Sequence, residues 1–486
     1  MIPSSPLGPN KMRTAMFRFS VSTFALLSLS ACASMTPPKV TAPENWHGAM
    51  AADSSATLPD ATWWQRFQSA EMSGLISTAV TNNLSLKAAM ARILQSESSA
   101  KIAGSALFPT LSAGAGASRS VRQQSGAATV SGNSYQGSLQ ASYQLDLFGQ
   151  VRNNARAADR RLESSLFDRE TVTITLVSNV ATAYLQVLSA RERLQLTTDR
   201  LKNAEAILRL LETQRRVGTL SDLELAQQRS ALASQRAALP ALQLAERQSL
   251  DALAVLLGRA PQGFDVQART LSDVALPVVA AGIPSTILTR RPDVRRAESD
   301  LKAANFDVAA ARAARLPSIS LTAAGGSSSS ALADLFTTGT FFYNFAGSAA
   351  ETIFAGGRLQ GQEQAARARY REVAANYQLA VISAFSDVEN ALAAVEQTGK
   401  QYDLAQEAST QADLAYRLAE LRYRAGAVDF QTVLNAQNAS FQALESLVQN
   451  RLARFTAAIS LATALGGGWD GALPDAPALK TVYDPL

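Results

Sequence analysis

The chain is written twice, and each copy couples an alternating strand pattern to helical stretches too long for a compact domain. Leu107-Phe108-Pro109-Thr110-Leu111-Ser112 returns as Arg315-Leu316-Pro317-Ser318-Ile319-Ser320. Leu147-Phe148-Gly149-Gln150-Val151-Arg152 returns as Ile353-Phe354-Ala355-Gly356-Gly357-Arg358, and Arg216-Val217-Gly218-Thr219 as Arg424-Ala425-Gly426-Ala427. A repeat this long is a duplicated domain, not a short solenoid unit.

Within the first copy, Tyr135, Gly137, Leu139, Ala141, Tyr143, Leu145 and Leu147 alternate with Gln136, Ser138, Gln140, Ser142, Gln144 and Asp146. A period of two places one set on each face of a sheet, and the stretch is long enough to cross a bilayer when tilted. Leu111, Ala113, Ala115 and Ala117 alternate in the same way before a loop rich in Gly and Ser, which predicts a long hairpin. The second copy repeats the hairpin around Ile319, Leu321 and Ala323, with Phe341, Tyr343, Phe345 and Ile353 on the returning strand and Glu351 breaking its apolar face. A half-buried soluble strand would show the same alternation. Four such segments with small polar faces favour a barrel with a wet interior.

No glycine or proline occurs between Val151 and Val217, and only Gly399 interrupts Gln362 to Ala425. A continuous helix over the first run would be about 100 Å long. After Gly218 and Gly426 a second helical stretch returns, to Leu257 and Leu465, with Pro240 expected to kink the first of them. Apolar residues at three-four spacing give these stretches a coiled-coil character.

Lys11, Arg13 and Arg18 precede an apolar run that ends Leu29-Ser30-Ala31-Cys32, the layout of a secretory signal over residues 1–31. Translation starting at Met12 or Met16 would preserve that layout. Cys32 is the only cysteine, so no disulfide framework exists. Its place after Leu-Ser-Ala resembles a bacterial lipoprotein box, with the sulfur carrying lipid, and Ala33 rather than aspartate after it fits passage to the outer membrane.

The formal charge of +5 falls mostly in the signal, and the remainder gives no nucleic-acid footprint. Beyond the signal we find no apolar run expected to form a transmembrane helix, so a membrane would be crossed by strands. Four strands cannot close a barrel, and an open edge in lipid is forbidden, so several copies must associate.

Catalysis is hard to staff. The one histidine, His47, has no second histidine to pair with, and no GxxxxGK[ST] run exists to hold a nucleotide. All seven methionines precede the first strand, which argues against a thioether relay for soft metals in the second strand pair or the long helices.

Leu288-Thr289-Arg290-Arg291-Pro292-Asp293-Val294-Arg295-Arg296-Ala297-Glu298 is the most specific segment of the chain. With Trp63-Trp64-Gln65-Arg66-Phe67 and Arg422-Tyr423-Arg424-Ala425-Gly426, it resembles the outer-membrane factors of tripartite efflux and type I secretion systems. The closest branch is the lipoproteins paired with resistance-nodulation-division pumps. The resemblance covers nearly everything after Cys32 and implies a membrane α+β fold. In that fold a trimeric 12-strand outer-membrane barrel, four strands per chain, continues into a long periplasmic α-helical barrel.

The implied layout is a lipid-anchored segment with first periplasmic helices over 32–110, a hairpin over 111–148 and a helix pair over 149–257. An equatorial segment with the first helix of the second repeat spans 258–316. A hairpin over 317–354, a helix pair over 355–465 and a tail over 466–486 complete it. The implied partners are two further copies, a periplasmic adaptor (membrane fusion) protein, an inner-membrane resistance-nodulation-division transporter and outer-membrane lipid. The implied work is passive conduction of drugs or other small molecules, with no enzyme activity and no cofactor besides the lipid on Cys32. Protein cargo in type I secretion, and a periplasmic coiled-coil lipoprotein without a pore, are the competing readings.

By the same resemblance the closed end lies at the helix turns. Tyr423 matches the family's gate tyrosine. The two positions acidic in some relatives are Thr432 and Asn435 here, and Asp429 and Asp222 stand in as carboxylates. An N-cap or first-turn acid accounts for either aspartate equally well. Val217, Gly218, Thr219, Ala425, Gly426 and Ala427 are the residues expected to meet the adaptor, although glycine suits a tight reversal on structural grounds alone.

Overall fold

The computed structural model describes residues 38, 42–43, 45–47, 59–123, 129–218, 221–279 and 284–472. The signal over residues 1–31, Cys32, Thr219 and the tail from 473 lie outside these. The principal elements are helices α1 (Ala70–Asn82) and α2 (Leu84–Ser105), strands β1 (Thr110–Arg122) and β2 (Val130–Leu145), and helices α3 (Gln150–Arg216) and α4 (Asp222–Leu256). The second copy supplies α5 (Pro292–Ala313), β3 (Ser318–Ser329), β4 (Phe341–Ala350), α6 (Arg358–Arg424) and α7 (Phe430–Ala464).

The repeat is kept at a constant offset. Helices α3 and α6 are both 67 residues, and α4 and α7 are both 35. Left-handed Gly149 (φ 81°) and Gly357 (φ 84°) precede α3 and α6. The sequence match had set Gly149 against Ala355, two positions out of step, because it followed the hydrophobic pair before the turn and not the backbone need for glycine. Helix α4 runs unbroken through Pro240.

The chain divides into two compact units. Among the described residues one comprises Pro38, Leu94–Ser164 and Ala297–Tyr377, and the other holds the rest. The first contains a single sheet in the order β1-β2-β3-β4, all antiparallel. β2 ends at Leu145, so Leu147 is not a strand residue. Asp146 instead caps α3, accepting from the amides of Val151 at 3.0 Å and Arg152 at 2.8 Å. β4 ends at Ala350, which leaves Glu351 and Ile353 in the connection to α6. Beside the sheet, Leu301, Ala304 and Val308 of α5 pack on Tyr370 and Val373 of α6. Buried Glu363 of α6 accepts from Arg315 at 2.6 Å.

The second unit carries the main core. Trp63, Phe67, Met72 and Ile76 pack on Leu176, Val180, Tyr184, Leu185 and Leu188 of α3, with Leu253 of α4 and Phe455 of α7. Contrary to the expectation from sequence, one window of α3 is apolar enough to cross a membrane by length and composition. More than half of it is buried within the protein, and its leucines and valines supply this core. Burial on several sides explains the apolarity without a bilayer.

Both copies pin the C-terminus of their return helix in the same way. The helices end in left-handed glycines, Gly258 (φ 70°) and Gly466 (φ 76°). A Cβ on Gly258 would lie 2.6 Å from the Asn82 carbonyl oxygen, and one on Gly466 would lie 2.6 Å from that of Arg290. Gly466→Ala therefore meets left-handed strain and a backbone clash together, and is expected to cost about 2–3 kcal/mol. A lower thermal midpoint with Gly466→Ala, beside a near-neutral Gly399→Ala at an open site inside α6, checks this.

Candidate functional site

The strand register brings every alternation onto the same two faces. Leu111, Ala113, Ala115 and Ala117 of β1 stand opposite Ala141, Leu139, Gly137 and Tyr135 of β2. Tyr143 and Leu145 stand opposite Leu321 and Ile319 of β3, and Ala323, Gly325 and Ser327 stand opposite Phe345, Tyr343 and Phe341 of β4. Paired residues share a face, so the apolar sets of four strands form one continuous surface. Phe341, Tyr343 and Phe345 form an aromatic row on it, with successive ring centroids 6.4 and 6.3 Å apart, and are 68, 72 and 80% exposed. The other face carries Ser112, Ser138, Gln140, Ser142, Ser320, Thr322 and Ser348. Thr110 and Ser142 share a hydroxyl hydrogen bond of 2.7 Å there, and Ser320 and Ser348 one of 2.8 Å.

An exposed apolar surface of this extent on a sheet needs an apolar solvent or a partner. The outer strands β1 and β4 each have one side with no strand partner among the described residues.

At the C-terminal ends of α3 and α6, Gly218 (φ 78°) and Gly426 (φ 73°) reverse the chain. After α6 the Gly426 amide donates to the Tyr423 carbonyl at 2.9 Å and the Ala427 amide to the Arg422 carbonyl at 2.9 Å. This paired closure satisfies the last helical carbonyls and requires the left-handed residue. Val217 is exposed, and Ala425 and Ala427 flank Gly426 on the surface; Thr219 lies outside the described residues.

Asp222 opens α4 and takes a two-pronged ion pair from Arg215, at 2.6 and 3.0 Å. That guanidinium holds the Asp222 carboxyl below the usual range. Asp429 is the N-cap of α7, accepting from the Thr432 hydroxyl at 2.5 Å and its amide at 2.9 Å, and these bonds lower its pKa. Asn435 accepts from Gln431 at 2.9 Å. Tyr423 is half-buried, edge-on to Phe430 at 5.5 Å, and its hydroxyl donates to Gln214 at 3.5 Å. Burial, then the nearby Glu224, raises its pKa. Tyr423 and Phe430 line a cavity of about 310 Å³ with Asn203, Leu210, Tyr416 and Glu420.

Depressed carboxyls stabilise the turns above their unfolded pKa of about 4, and that contribution is lost as pH falls through the lower folded values. The turns are thus expected to exchange amides faster in acid, after correction for intrinsic rates, and Asp429→Ala should remove the pH dependence at Thr432.

The Arg-Arg-Pro-Asp segment, which had no assigned role, is a clamp. Arg291 donates to Asp293 at 3.0 and 2.6 Å and pairs with Asp387 at 2.9 Å. It also reaches the Ala464 carbonyl at 3.4 Å and the Ala384 carbonyl at 3.5 Å. In the first copy Asn83 occupies the matching place, donating to the Leu256 carbonyl at 2.9 Å. Contacts that sequence reasoning missed also tie α3 to α7. Arg193 pairs with Glu445, Arg200 donates to the Ser440 carbonyl at 3.1 Å and lies 4.9 Å over Phe441, and Arg451 pairs with Glu192 at 3.3 Å. No pattern in the sequence pairs these residues across 240 to 259 positions.

His47 is exposed, its ring 3.0 Å from Glu389. Among the described residues no group of His, Cys, Asp or Glu could hold a metal ion.

Two stretches of the chain, residues 75–259 and 283–467, match the model of the family described as outer membrane efflux protein, one match to each copy of the repeat. The chain is similar to the pyoverdine export outer membrane protein OpmQ of Pseudomonas putida, 37% identical over 92% of this chain and 97% of that protein. It is similar also to OpmQ of Pseudomonas aeruginosa, 39% identical over 92% of this chain and 96% of that one. Among solved structures, the open state of the MtrE outer membrane channel of Neisseria gonorrhoeae superposes with a TM-score of 0.82 at 32% identity, covering 91% of this chain and all (100%) of that one.

Proposed function

Because this chain belongs to the outer membrane efflux protein family, it is the outer-membrane channel component of an efflux system. We propose that three copies close a twelve-strand barrel through which small molecules leave the cell passively. The observation that carries this is the single apolar face made by all four strands, beside a hydroxyl- and amide-bearing face. A sheet with two unpaired edges cannot rest in lipid, where each unsatisfied backbone group costs several kcal/mol. Further copies joining β4 of one to β1 of the next remove every edge. The apolar face then meets lipid and the polar face lines water.

The outer membrane is the site of this work. The lipid on Cys32 fixes the N-terminal segment to it, and a periplasmic adaptor and an inner-membrane transporter of the resistance-nodulation-division type deliver the cargo. The full-length likeness to two exporters of pyoverdine supports a small secreted molecule as cargo rather than a protein. The chain does no chemistry on it. Asp429 and Asp222 at the turns, with Tyr423, Thr432 and Asn435, form the narrow periplasmic end, and the residues from Val217 to Thr219 and from Ala425 to Ala427 meet the adaptor.

Planar bilayers holding the purified, lipid-bearing protein test both parts. Small cation-selective currents that lose selectivity in Asp429→Ala place that carboxylate at the constriction. Currents unchanged by the substitution keep the channel and remove Asp429 from the gate. An inserted trimer that stays silent after both turns are loosened overturns the channel.

A further inference from the structure

The four strands contain two charged side chains, Arg119 and Arg122, both at the outer end of β1. Their register separates them. Arg119 stands opposite Asn133 on the apolar face, in step with Ala117 and Tyr135. Arg122 is in step with Ser118 and Ser120 and stands opposite Val130 on the polar face. Both are exposed.

A charge on a lipid-facing strand costs about 2–4 kcal/mol at the bilayer centre and about 0–1 kcal/mol near the headgroups. Arg119 therefore marks the level where the hydrocarbon ends. Arg122 lies three residues further out, about 10 Å along the strand, and turns to the other side. The connection that follows it, Gln123 to Thr129, carries no charge. The outer connection between β3 and β4, Ala331 to Thr340, carries one carboxylate, Asp334.

We infer that Arg122, contributed once by each copy, makes the outer mouth of the barrel positive and favours the exit of anionic small molecules, those bearing carboxylate or sulfonate groups. This rests on the proposed pore and on its polar face being the lumen. The lumen face below Arg122 is lined mostly by serine, threonine, glutamine and glycine, with Phe342, Asn344 and alanines on β3 and β4 and no strand carboxylate to compete. A charged ring at a pore mouth raises the local concentration of the opposite ion. The field reaches about 10 Å at 0.1 M salt and about 30 Å at 0.01 M, so the effect belongs to dilute salt. A guanidinium stays charged at every working pH, so this preference does not titrate. It acts in series with the carboxylates at the helix turns.

The test is the chloride-to-potassium permeability ratio of the full-length trimer in bilayers, from reversal potentials in dilute KCl gradients. Arg122→Ser is expected to lower the ratio roughly two-fold and Arg122→Glu to lower it further, with both effects vanishing near 1 M salt. Arg119→Ser, on the opposite face, leaves the ratio at the wild-type value. An unchanged ratio in Arg122→Glu, or an equal change in Arg119→Ser, overturns the inference while the channel stands. A wild-type trimer that inserts and passes no ion after its turns are loosened overturns the channel reading, and this inference with it.

Discussion

An arginine at Tyr143 is expected to abolish assembly of the trimer in the membrane, whereas one at Gln140 is expected to be tolerated. Tyr143 belongs to the apolar face, opposite Leu321 of β3. Gln140 belongs to the polar face, opposite Ser112 and Ala324. A guanidinium in the lipid-facing band costs about 2–4 kcal/mol per copy. Three copies enter the barrel together, so the cost reaches about 6–12 kcal/mol per assembly, comparable to the whole stability of an ordinary domain. Outer-membrane fractionation, followed by unheated gel electrophoresis to score trimer, reads both variants. Normal assembly of Tyr143→Arg would remove the lipid from that face and restore the pore-less coiled-coil lipoprotein as the better account.

The second large effect is at Arg291. Its guanidinium is 13% exposed and is shared between Asp293, 33% exposed, and Asp387, 47% exposed. Arg291→Met keeps much of the side-chain volume but leaves two carboxylates without their cation and the Ala464 carbonyl without its donor. Removing one member of a buried ion pair costs about 3–5 kcal/mol. The partial exposure of both aspartates reduces this to about 2–3 kcal/mol. Arg291→Lys should recover only part of it, since a point charge cannot bridge two carboxylates and a carbonyl in one plane. Thermal unfolding in detergent followed by far-ultraviolet circular dichroism measures the ordering wild type, Lys, Met. A Met variant as stable as wild type would mean that the clamp is redundant with the core around Phe455 and Leu253.

The helix turns and the sheet were legible to different degrees. Alternation over β2 is a local property, and its two faces follow from the chain alone. Which strand lies beside which is not local. The pairing of Tyr143 with Leu321 joins positions in different copies of the repeat, and it decides that the four apolar sets coincide. The same limit explains Leu147 and Ile353. Each continues the alternation in sequence, yet each falls beyond a strand end, because Asp146 caps α3 and β4 stops at Ala350. At the turns, Asp222 and Asp429 could be read as caps or as gate carboxylates. Within one chain each has a helix-end role, through Arg215 for the first and Thr432 for the second.

The sequence by itself determined the duplication, the long proline-free helices that became α3 and α6, the reversals at Gly218 and Gly426, and a polar and an apolar face for each strand. All of these depend on residues within a few positions of one another, through backbone freedom and the period of the side chains. Only the tertiary structure decided the strand register, the clamp around Arg291, the ties from α3 to α7 and the carbonyls packed against Gly258 and Gly466. Those join residues far apart in the chain, and their energies arise from burial and ion pairing that exist only once the copies of the repeat have folded against each other.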